Sequence, residues 1–336
     1  MSEATTKALV VATLLKRWPL YRSKTLIKIG ICPFFLYFCP RKRFFPHFCT
    51  LRSVWGTNRL KSKQMVFYFS GTGNTRWAAE QLAAATGERL LFIPDELDSS
   101  CDYTLAEGER IGFCFPVHGW QPPHIVREFI HRMSIAGSAG HFSYALCTCG
   151  DNTGLAVKML TKELAGKGID LQSVRSLIMP ESYVCLPFMY TDKPEREREK
   201  IEQARHDLDA FIKVVVNKQP GYSQLTLGPM PWTLSHVIGA YFNRFMITDK
   251  KFTVDTDVCI HCGRCAAVCP VGNIVFDKFP QWKHDGSCTC CLTCYHHCPV
   301  HTINYGRITR KRGQYYFGLT PSPSPTGEGS GMIVRS

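Results

Sequence analysis

Two cysteine runs determine the fold of the C-terminal part of this chain. The first reads Cys259-Ile-His-Cys262-Gly-Arg-Cys265-Ala-Ala-Val-Cys269-Pro270, and the second reads Cys288-Thr-Cys-Cys291-Leu-Thr-Cys294-Tyr-His-His-Cys298-Pro299. Both fit the spacing C-x2-C-x2-C-x3-C-P, and the second carries an extra thiol, Cys290, in its first spacer. This spacing is typical of cubane iron–sulfur clusters, because three thiolates of one tight loop bind three irons and the fourth iron takes a ligand from elsewhere.

The cysteine before each proline is predicted to bind the cluster of the other run. The predicted 4Fe-4S ligand sets are Cys259, Cys262, Cys265 and Cys298 for one cluster, and Cys269, Cys288, Cys291 and Cys294 for the other. Zinc is an alternative, but zinc sites usually pair two short Cys-x-x-Cys hairpins across a longer loop. A second alternative is that the clusters serve only to stabilise the fold, although two adjacent clusters form a relay that no structural role requires. Three nearby histidines are predicted to be surface groups: His261, His296 and His297.

The middle of the chain alternates between strand-like and helix-like segments. Predicted strands cover 65–70, 90–93, 110–117, 142–149 and 171–179. Predicted helices cover 76–85 and 122–133. A third predicted helix is capped by Asn152 and runs to 164, and a fourth, longer one begins at Pro194. Such alternation predicts an α/β fold, a doubly wound parallel sheet covered on both faces. Ligands of such sheets bind at the carboxyl ends of the strands, where the strand order reverses.

Three loops at those strand ends have the composition of a binding site. The first is rich in glycine and neutral donors and suits a phosphate at a helix N-terminus; it comprises Ser70, Gly71, Thr72, Gly73, Asn74 and Thr75. It lacks the lysine of an ATP-binding loop and the glycine spacing of a dinucleotide fingerprint. The second places a flat aromatic beside a flexible glycine, in Pro116, Val117, His118, Gly119 and Trp120. The third offers backbone and amide groups in Cys149, Gly150, Asp151 and Asn152. The plain alternatives are an ordinary turn and a core tryptophan.

Residues 65–220 resemble a flavodoxin-type domain on the strength of these loops. The resemblance implies that the first loop holds the phosphate of FMN, that Trp120 stacks on the flavin, and that the third loop approaches its pyrimidine end. It also implies that the Gly119 peptide can turn its carbonyl toward flavin N5. A second aromatic that sandwiches the ring in many family members is not identified in this sequence.

Residues 251–308 resemble bacterial two-cluster ferredoxins. Strand-like segments at 251–254, 273–276, 280–283 and 302–305 surround the two cysteine runs and predict a small α+β domain. With the flavodoxin-like part first and the ferredoxin-like part second, the chain resembles a bacterial family of flavodoxin–ferredoxin fusions common in anaerobes.

Charge is concentrated at the N-terminal end of the chain. Thirteen of the 40 Lys and Arg residues, but only one of the 27 Asp and Glu residues, precede Met65. The rest of the chain is nearly neutral, so no nucleic-acid partner is predicted. The apolar runs of the basic segment are too short to span a bilayer, so no integral membrane span is predicted. That segment either lies on an anionic membrane surface or is not native sequence, with translation starting at Met65, and the second interpretation is favoured.

The predicted domains are a basic extension (1–64), a flavodoxin-like domain (65–220), an interdomain helix or linker (221–250), a two-cluster ferredoxin domain (251–312) and a disordered tail (313–336). The predicted function is electron transfer between bound FMN and a redox partner protein through two 4Fe-4S clusters. The alternative is a ferredoxin whose flavodoxin-like domain is a flavin-free docking module. No acid–base pair or nucleophile stands out, which favours a carrier. Seventeen cysteines and oxygen-sensitive clusters predict a reducing cytoplasm.

Overall fold

The structure is a computed structural model that describes residues 64–318 except 138–139. The predicted basic extension, apart from Gln64, and residues 319–336 of the predicted tail lie outside the described residues. Twelve strands occur in the described part: β1 (Met65–Tyr68), β2 (Arg89–Phe92), β3 (Asp102–Thr104), β4 (Arg110–Pro116), β5 (Ser134–Ala136), β6 (Phe142–Cys149), β7 (Ser173–Ile178), β8 (Ser223–Gln224), β9 (Phe252–Val254), β10 (Ile274–Phe276), β11 (Pro280–Trp282) and β12 (Ile303–Tyr305).

Six of these strands form one parallel sheet in the order β2-β1-β4-β6-β7-β8. The five longer strands therefore follow the order 2-1-3-4-5, which is the flavodoxin-like arrangement. The order reverses between β1 and β4, so the loops after these two strands border the position where such sheets bind ligands. The short strands β3 and β5 pair with each other in a separate parallel ribbon, which no periodicity in three residues could have predicted.

Five helices accompany the sheet: α1 (Asn74–Thr86), α2 (Ile93–Leu97), α3 (His124–Arg132), α4 (Ala156–Ala165) and α5 (Pro194–Val216). The apolar residues of α3 and α4 pack with Phe67, Phe113 and Phe115 on one face of the sheet. Those of α1 and α5 pack with Val66 and Leu146 on the other face. Successive strand residues thus enter opposite cores, and the predicted doubly wound α/β sheet is confirmed.

Short elements surround the two cysteine runs. Strand β9 pairs with β12, and β10 pairs with β11, both antiparallel. A short helix lies inside each run, α6 (Arg264–Ala267) and α7 (Thr293–His296), and a 3-10 turn (Ile308–Lys311) follows. This cysteine region (residues 247–312) therefore contains two short strands in each half, β9 and β10 in the first and β11 and β12 in the second, at the four positions that the sequence predicts.

A helix of mixed geometry joins the sheet to the cysteine region. This connecting helix has four consecutive segments, Pro231–Thr233, Leu234–Ile238, Gly239–Tyr241 and Phe242–Met246, and the second and fourth are π-helical. This helix lies in the segment 221–250, predicted as an interdomain helix or linker, and the segment also contains β8, which adds a strand to the sheet edge. Among the described residues no helix is both long and apolar enough to cross a membrane.

The C-terminal strap (residues 313–318), predicted to be disordered, is ordered in the structure. Gln314 Nε2 donates to the carbonyl oxygens of Tyr295 (2.7 Å) and Cys298 (2.8 Å), and His297 stacks on Tyr316 with ring centroids 4.0 Å apart. These contacts fix the segment after Arg312, because side chains that the composition of the tail alone does not reveal find partners in the cysteine region.

The packing of β4 against β6 supplies a stability prediction. Gly112 pairs with Tyr144 across the sheet, and a Cβ at Gly112 would overlap the Tyr144 ring. Tyr144 cannot move away easily because its Oη donates to the buried Glu88 carboxylate at 2.7 Å. We expect Gly112→Ala to lower the free energy of unfolding by about 1–3 kcal/mol, as measured by urea unfolding.

Gly166→Ala is the matched control. Gly166 ends α4 with a helical φ of −62°, where alanine is tolerated, so a change within about 1 kcal/mol is expected. Equal unfolding midpoints for Gly112→Ala and the unsubstituted protein would contradict the packing described here.

Candidate functional site

The three predicted loops meet in one cleft at the carboxyl ends of β1, β4 and β6. Of the fifteen residues predicted to bind a cofactor, all except Gly73 line this cleft, whose empty volume, including open solvent at its mouth, is about 1090 Å³. Further walls come from Glu181 and Tyr183, which follow β7, and from Thr289, Cys290 and Cys291 of the second cysteine run. The cleft is therefore built by the sheet and the cysteine region together.

The first loop presents free backbone donors at the N-terminus of α1. Gly73 turns the chain with φ 96°, and its N–H donates to Ser70 Oγ at 3.2 Å. Within the described part of the chain, no group accepts a hydrogen bond from the backbone N–H of Gly71, Thr72, Asn74 or Thr75. Unpaired N–H groups at the positive end of a helix dipole form an anion-binding site. The described residues that line the cleft include no Lys or Arg, so neutral donors would hold the anion.

Trp120 is tied to the third loop. Its Nε1 donates to Asn152 Oδ1 at 2.8 Å, and Gly154 provides the space beside it, since a Cβ there would lie 2.8 Å from Trp120 Cβ. The sequence predicts Asn152 as the cap of α4, and this prediction is wrong. The helix begins at Ala156, and Leu155 is its cap residue. The amide serves to orient the tryptophan in the cleft instead.

The peptide at Gly119 faces the connecting helix. Asn243 Nδ2 donates to the carbonyl oxygens of His118 (3.1 Å) and Gly119 (3.4 Å). A Cβ at Gly119 would overlap the Phe242 ring, and the Gly119 carbonyl contacts Gly239. Glycine is needed at 119 because of this close approach and its φ of 54°. In this structure the carbonyl of Gly119 is directed at the helix that leads to the cysteine region.

One hydroxyl group at the cleft is buried without a partner. Thr289 Oγ1 has no hydrogen-bond partner among the described residues, whereas Tyr183 Oη interacts with the Cys290 thiol. Both residues line the cleft, and buried polar atoms normally have a partner. A polar ligand in the cleft would supply one for Thr289. Sequence reasoning missed both residues, because no motif marks the loop after β7 and Thr289 lies in a spacer between cysteines.

Glu181 lies beside the third loop. Its carboxylate accepts the N–H groups of Ser182 (3.1 Å) and Tyr183 (2.9 Å) and fills the space next to Gly150. Burial raises the pKa of this carboxyl group, although the N–H of Tyr183 and the charge of Lys200 act in the opposite direction. Glu181 therefore shapes the end of the cleft that the sequence assigned to the edge of a ring system.

The second cysteine run rests directly on the first loop. A Cβ at Gly71 would lie 2.7 Å from Cys291 Cβ and 3.2 Å from Thr293 Oγ1. The C-terminal strap covers the other side of the loop: Phe317 N–H donates to the Thr72 carbonyl at 2.8 Å, and Tyr315 Oη donates to Asn74 Oδ1 at 2.5 Å. The first loop is thus held in place by the cysteine region and by the segment that follows it.

His296 is a buried bridge, which corrects its prediction as a surface group. The side chain is 1% exposed; Nε2 lies 2.6 Å from the Ser182 carbonyl, and Nδ1 accepts the Tyr315 N–H at 3.0 Å. Burial lowers its pKa to about 3, so the ring is neutral and donates from Nε2. The ring connects α7 to the loop after β7 and to the strap. His297 is also partly buried, whereas His261 is exposed as predicted.

The first predicted cysteine set surrounds one small cavity. Cys259, Cys262, Cys265 and Cys298 line it together with apolar neighbours such as Phe276 and Ile303, and its empty volume, including open solvent, is about 300 Å³. Cys298 comes from the second run, so the crossing between runs that the sequence predicts is present. Cys262 is the exposed member of the set. Burial raises the pKa of Cys265 to about 11, and the thiols of Cys298 and Cys262 contribute to this.

The second predicted set is also gathered together. Burial raises the pKa of Cys294, and the adjacent thiols of Cys291, Cys288 and Cys269 raise it further; Cys269 is likewise affected by Cys291. Cys290 points elsewhere and interacts with the buried Cys185. In the described ranges, no three His, Cys, Asp or Glu side chains converge on a single metal-ion position. A cubane does not require such convergence, because its four cysteines bind four different irons.

Comparison with known proteins identifies the cysteine region. Residues 252–275 match the family of 4Fe-4S binding domains. A 7Fe ferredoxin from Hydrogenibacillus schlegelii is 46% identical over 37 residues, which are 10% of this chain and 47% of that protein. A ferredoxin from Pyrobaculum islandicum is 29% identical over 86 residues, 22% of this chain and 75% of that protein. The chain thus spans about half the length of the first relative. The C-terminal part is a 4Fe-4S ferredoxin region.

Among solved structures, an FMN-dependent NADH-azoreductase from Bacillus anthracis in complex with FMN is similar to this chain. The match has 8% identity and a TM-score of 0.31, and it covers 46% of this chain and 100% of that one. The flavodoxin-like fold of the sheet region rests on its own strand order.

Gly71 provides a test of the contact between the two regions. We expect Gly71→Ala to separate the first loop from Cys291, because a methyl group does not fit in a 2.7 Å gap. Hydrogen–deuterium exchange should then accelerate in peptides covering 70–76 and 288–295, while amides of the central strands stay protected. Gly87→Asn is the control, because Gly87 is left-handed but has nothing within 4 Å of a Cβ. Unchanged exchange in both segments would contradict the contact.

His118 predicts a pH dependence of stability. Burial, with a smaller effect of His124, lowers its pKa to about 4, whereas a histidine in the unfolded chain titrates near about pH 6.5. Between these values the unfolded chain binds more protons, so the free energy of unfolding falls as the pH is lowered, by at most about 1.4 kcal/mol per pH unit.

We expect His118→Asn to weaken this dependence, as measured by urea unfolding at about pH 7 and pH 5.5. Identical pH dependence in the variant and the unsubstituted protein would show that His118 does not carry it.

Proposed function

We propose that this protein transfers electrons between an FMN bound in the cleft and a redox partner protein, through two 4Fe-4S clusters in the cysteine region. The observation that carries the proposal is that the second cysteine run forms both a wall of the cleft and part of a four-cysteine set. When bound, FMN exchanges electrons singly or in pairs, and each cluster passes one electron at a time.

The cluster ligands are proposed as Cys259, Cys262, Cys265 and Cys298 for one cluster, and Cys269, Cys288, Cys291 and Cys294 for the other. The shared cavity of the first set and the mutual influence of the thiols in the second support these assignments. The cysteine ligands of a cluster bind as thiolates, so these thiols release their protons as a cluster binds. Zinc is disfavoured because four zinc ligands would converge on one position, and no such convergence occurs among the described residues.

The FMN assignment rests on the polar groups of the cleft. Free N–H groups of the first loop suit a phosphate monoester, and the absence of Lys and Arg from its described lining suits a group held by neutral donors. Trp120 provides an aromatic surface held by Asn152. The partnerless hydroxyl of Thr289 needs a polar ligand.

The two cysteine sets have different positions relative to the cleft. Cys291 contacts the first loop at Gly71, which makes its set the nearer one. The other set includes the exposed Cys262 and is bordered by exposed apolar side chains, Val258 at 51% and Ile260 at 56% exposure. Electron transfer slows steeply with distance, so we propose that electrons pass between the cleft and the near set, then the far set, and reach the partner at Cys262.

The alternative is a ferredoxin with a flavin-free docking domain. The two are distinguished by quantifying iron, sulfide and FMN in the full chain purified without oxygen. We expect about eight irons, eight sulfides and one FMN per chain. Cys262→Ala and Cys294→Ala should each lose about half of the iron. Iron without FMN, also after incubation with added FMN, would support the docking alternative, and zinc in place of iron would refute both.

The order of the two sets is tested by following electrons from a photoreduced flavin. In Cys262→Ala we expect the photoreduced flavin to reduce the remaining cluster as fast as in the unsubstituted protein. The variant should, however, reduce cytochrome c, used as a protein acceptor, at least about tenfold more slowly. Cys101→Ala, which removes a buried thiol outside both sets, is the control and should reduce cytochrome c normally. Equal rates for Cys262→Ala and the control would place the exit of electrons elsewhere.

A further inference from the structure

The structure assigns a binding residue for the cofactor of the cleft to the ferredoxin half of the chain. We propose that the Thr289 hydroxyl forms a hydrogen bond with bound FMN, so that the loop from Cys288 to Cys291 is shared by the flavin site and the near cluster. This inference rests on the proposed function, because it takes the ligand of the cleft to be a flavin.

The first observation is the environment of Thr289. The residue is 1% exposed, and its Oγ1 is buried with no partner among the described residues. It nevertheless lines the cleft, as do its neighbours Cys290 and Cys291. A buried hydroxyl without a partner costs about 1–3 kcal/mol. A residue that serves only packing would avoid this cost with a valine, which has almost the same shape.

The second observation is that the wall carrying Thr289 borders the groups that would hold the cofactor. Thr289, Cys290 and Cys291 line the same cleft as the first loop and Trp120. Tyr183, from the loop after β7, lines the cleft too, but its hydroxyl interacts with Cys290. The Thr289 hydroxyl is therefore the polar group of this wall that is left without a partner among the described residues, and buried polar atoms normally have one.

The third observation concerns the loop itself. Cys290 has φ 50° and Leu292 has φ 61°, two left-handed residues without the glycine that this conformation favours. The loop is held against the sheet region by the contact of Cys291 with Gly71 and by the His296 bridge to Ser182. Cys288 and Cys291, which flank Thr289 closely, are proposed ligands of the near cluster. Binding of that cluster and placement of the Thr289 hydroxyl therefore depend on the same backbone.

The test compares FMN affinity in variants of the full chain with both clusters in place. We expect Thr289→Val to weaken FMN binding by about tenfold, because the hydrogen bond is lost while the shape is kept. Thr289→Ser should bind FMN within about threefold of the unsubstituted protein, since it keeps the hydroxyl. Thr161→Val is the control: its hydroxyl donates to the Val157 carbonyl within α4, away from the cleft. Affinity is measured by the fluorescence of free FMN in an anaerobic titration.

A second measurement separates binding from damage to the loop. Iron and sulfide content and the visible spectrum of the clusters should be the same in Thr289→Val and in the unsubstituted protein. Loss of iron together with loss of FMN, with no recovery in Thr289→Ser, would overturn the assignment, because it would make the role of Thr289 structural.

The remaining outcomes distinguish this inference from the proposed function. If the unsubstituted protein binds FMN and Thr289→Val binds it equally well, the assignment of Thr289 is wrong while the proposed function stands. If the unsubstituted protein binds no FMN, the flavin part of the proposed function is wrong and this inference falls with it.

Discussion

The contact between Gly71 and Cys291 is the constraint on which the arrangement of this protein depends. Only a residue without a side chain lets the second cysteine run approach to within 2.7 Å of where a Cβ would be. The same glycine belongs to the first loop, at the start of α1, so the geometry of that loop and the position of the near cysteine set are determined together. A strap, a histidine bridge and the connecting helix then reinforce the contact at three separate places.

These reinforcing contacts are polar and fully or partly buried, which makes them specific to one arrangement of the two regions. The His296 ring needs both Ser182 and Tyr315, Tyr315 needs Asn74, and Asn243 needs the carbonyl of Gly119. A buried polar group that loses its partner costs free energy, so sliding of one region over the other is disfavoured. Fixed spacing between redox groups is what an electron-transfer protein requires, and a flexible tether between independent domains would not maintain it.

Sequence patterns predicted the parts of the fold that depend on local order. The strand at Phe142–Cys149 was predicted residue for residue from the run FSYALCTC, and all eight of its residues are buried in the structure. The position of Cys298 before a proline predicts that it joins the ligand set of the first run, and the cavity lined by that set agrees with this prediction. The three cleft loops followed from the rule that ligands bind at strand ends.

The contacts between the regions were beyond prediction, for physical reasons that differ from residue to residue. Thr289 and Tyr183 carry no motif, and their importance depends on which surfaces meet. His296 was predicted to be at the surface because it lies in a spacer between cysteines and nothing requires it to bind iron, yet the loop after β7 covers it. The strap was predicted to be disordered from the composition of the residues after it, although Tyr315 and Phe317 find partners around the first loop.

The most direct test is an anomalous-scattering map, collected at the iron edge from crystals of the full chain grown without oxygen. We expect two groups of iron. One should lie between Cys269, Cys288, Cys291 and Cys294 beside a cleft that contains FMN, and the other between Cys259, Cys262, Cys265 and Cys298 near the surface. Iron bound in the four-cysteine sets of single runs, or a cleft separated from the second run, would contradict the shared wall on which the proposed transfer depends.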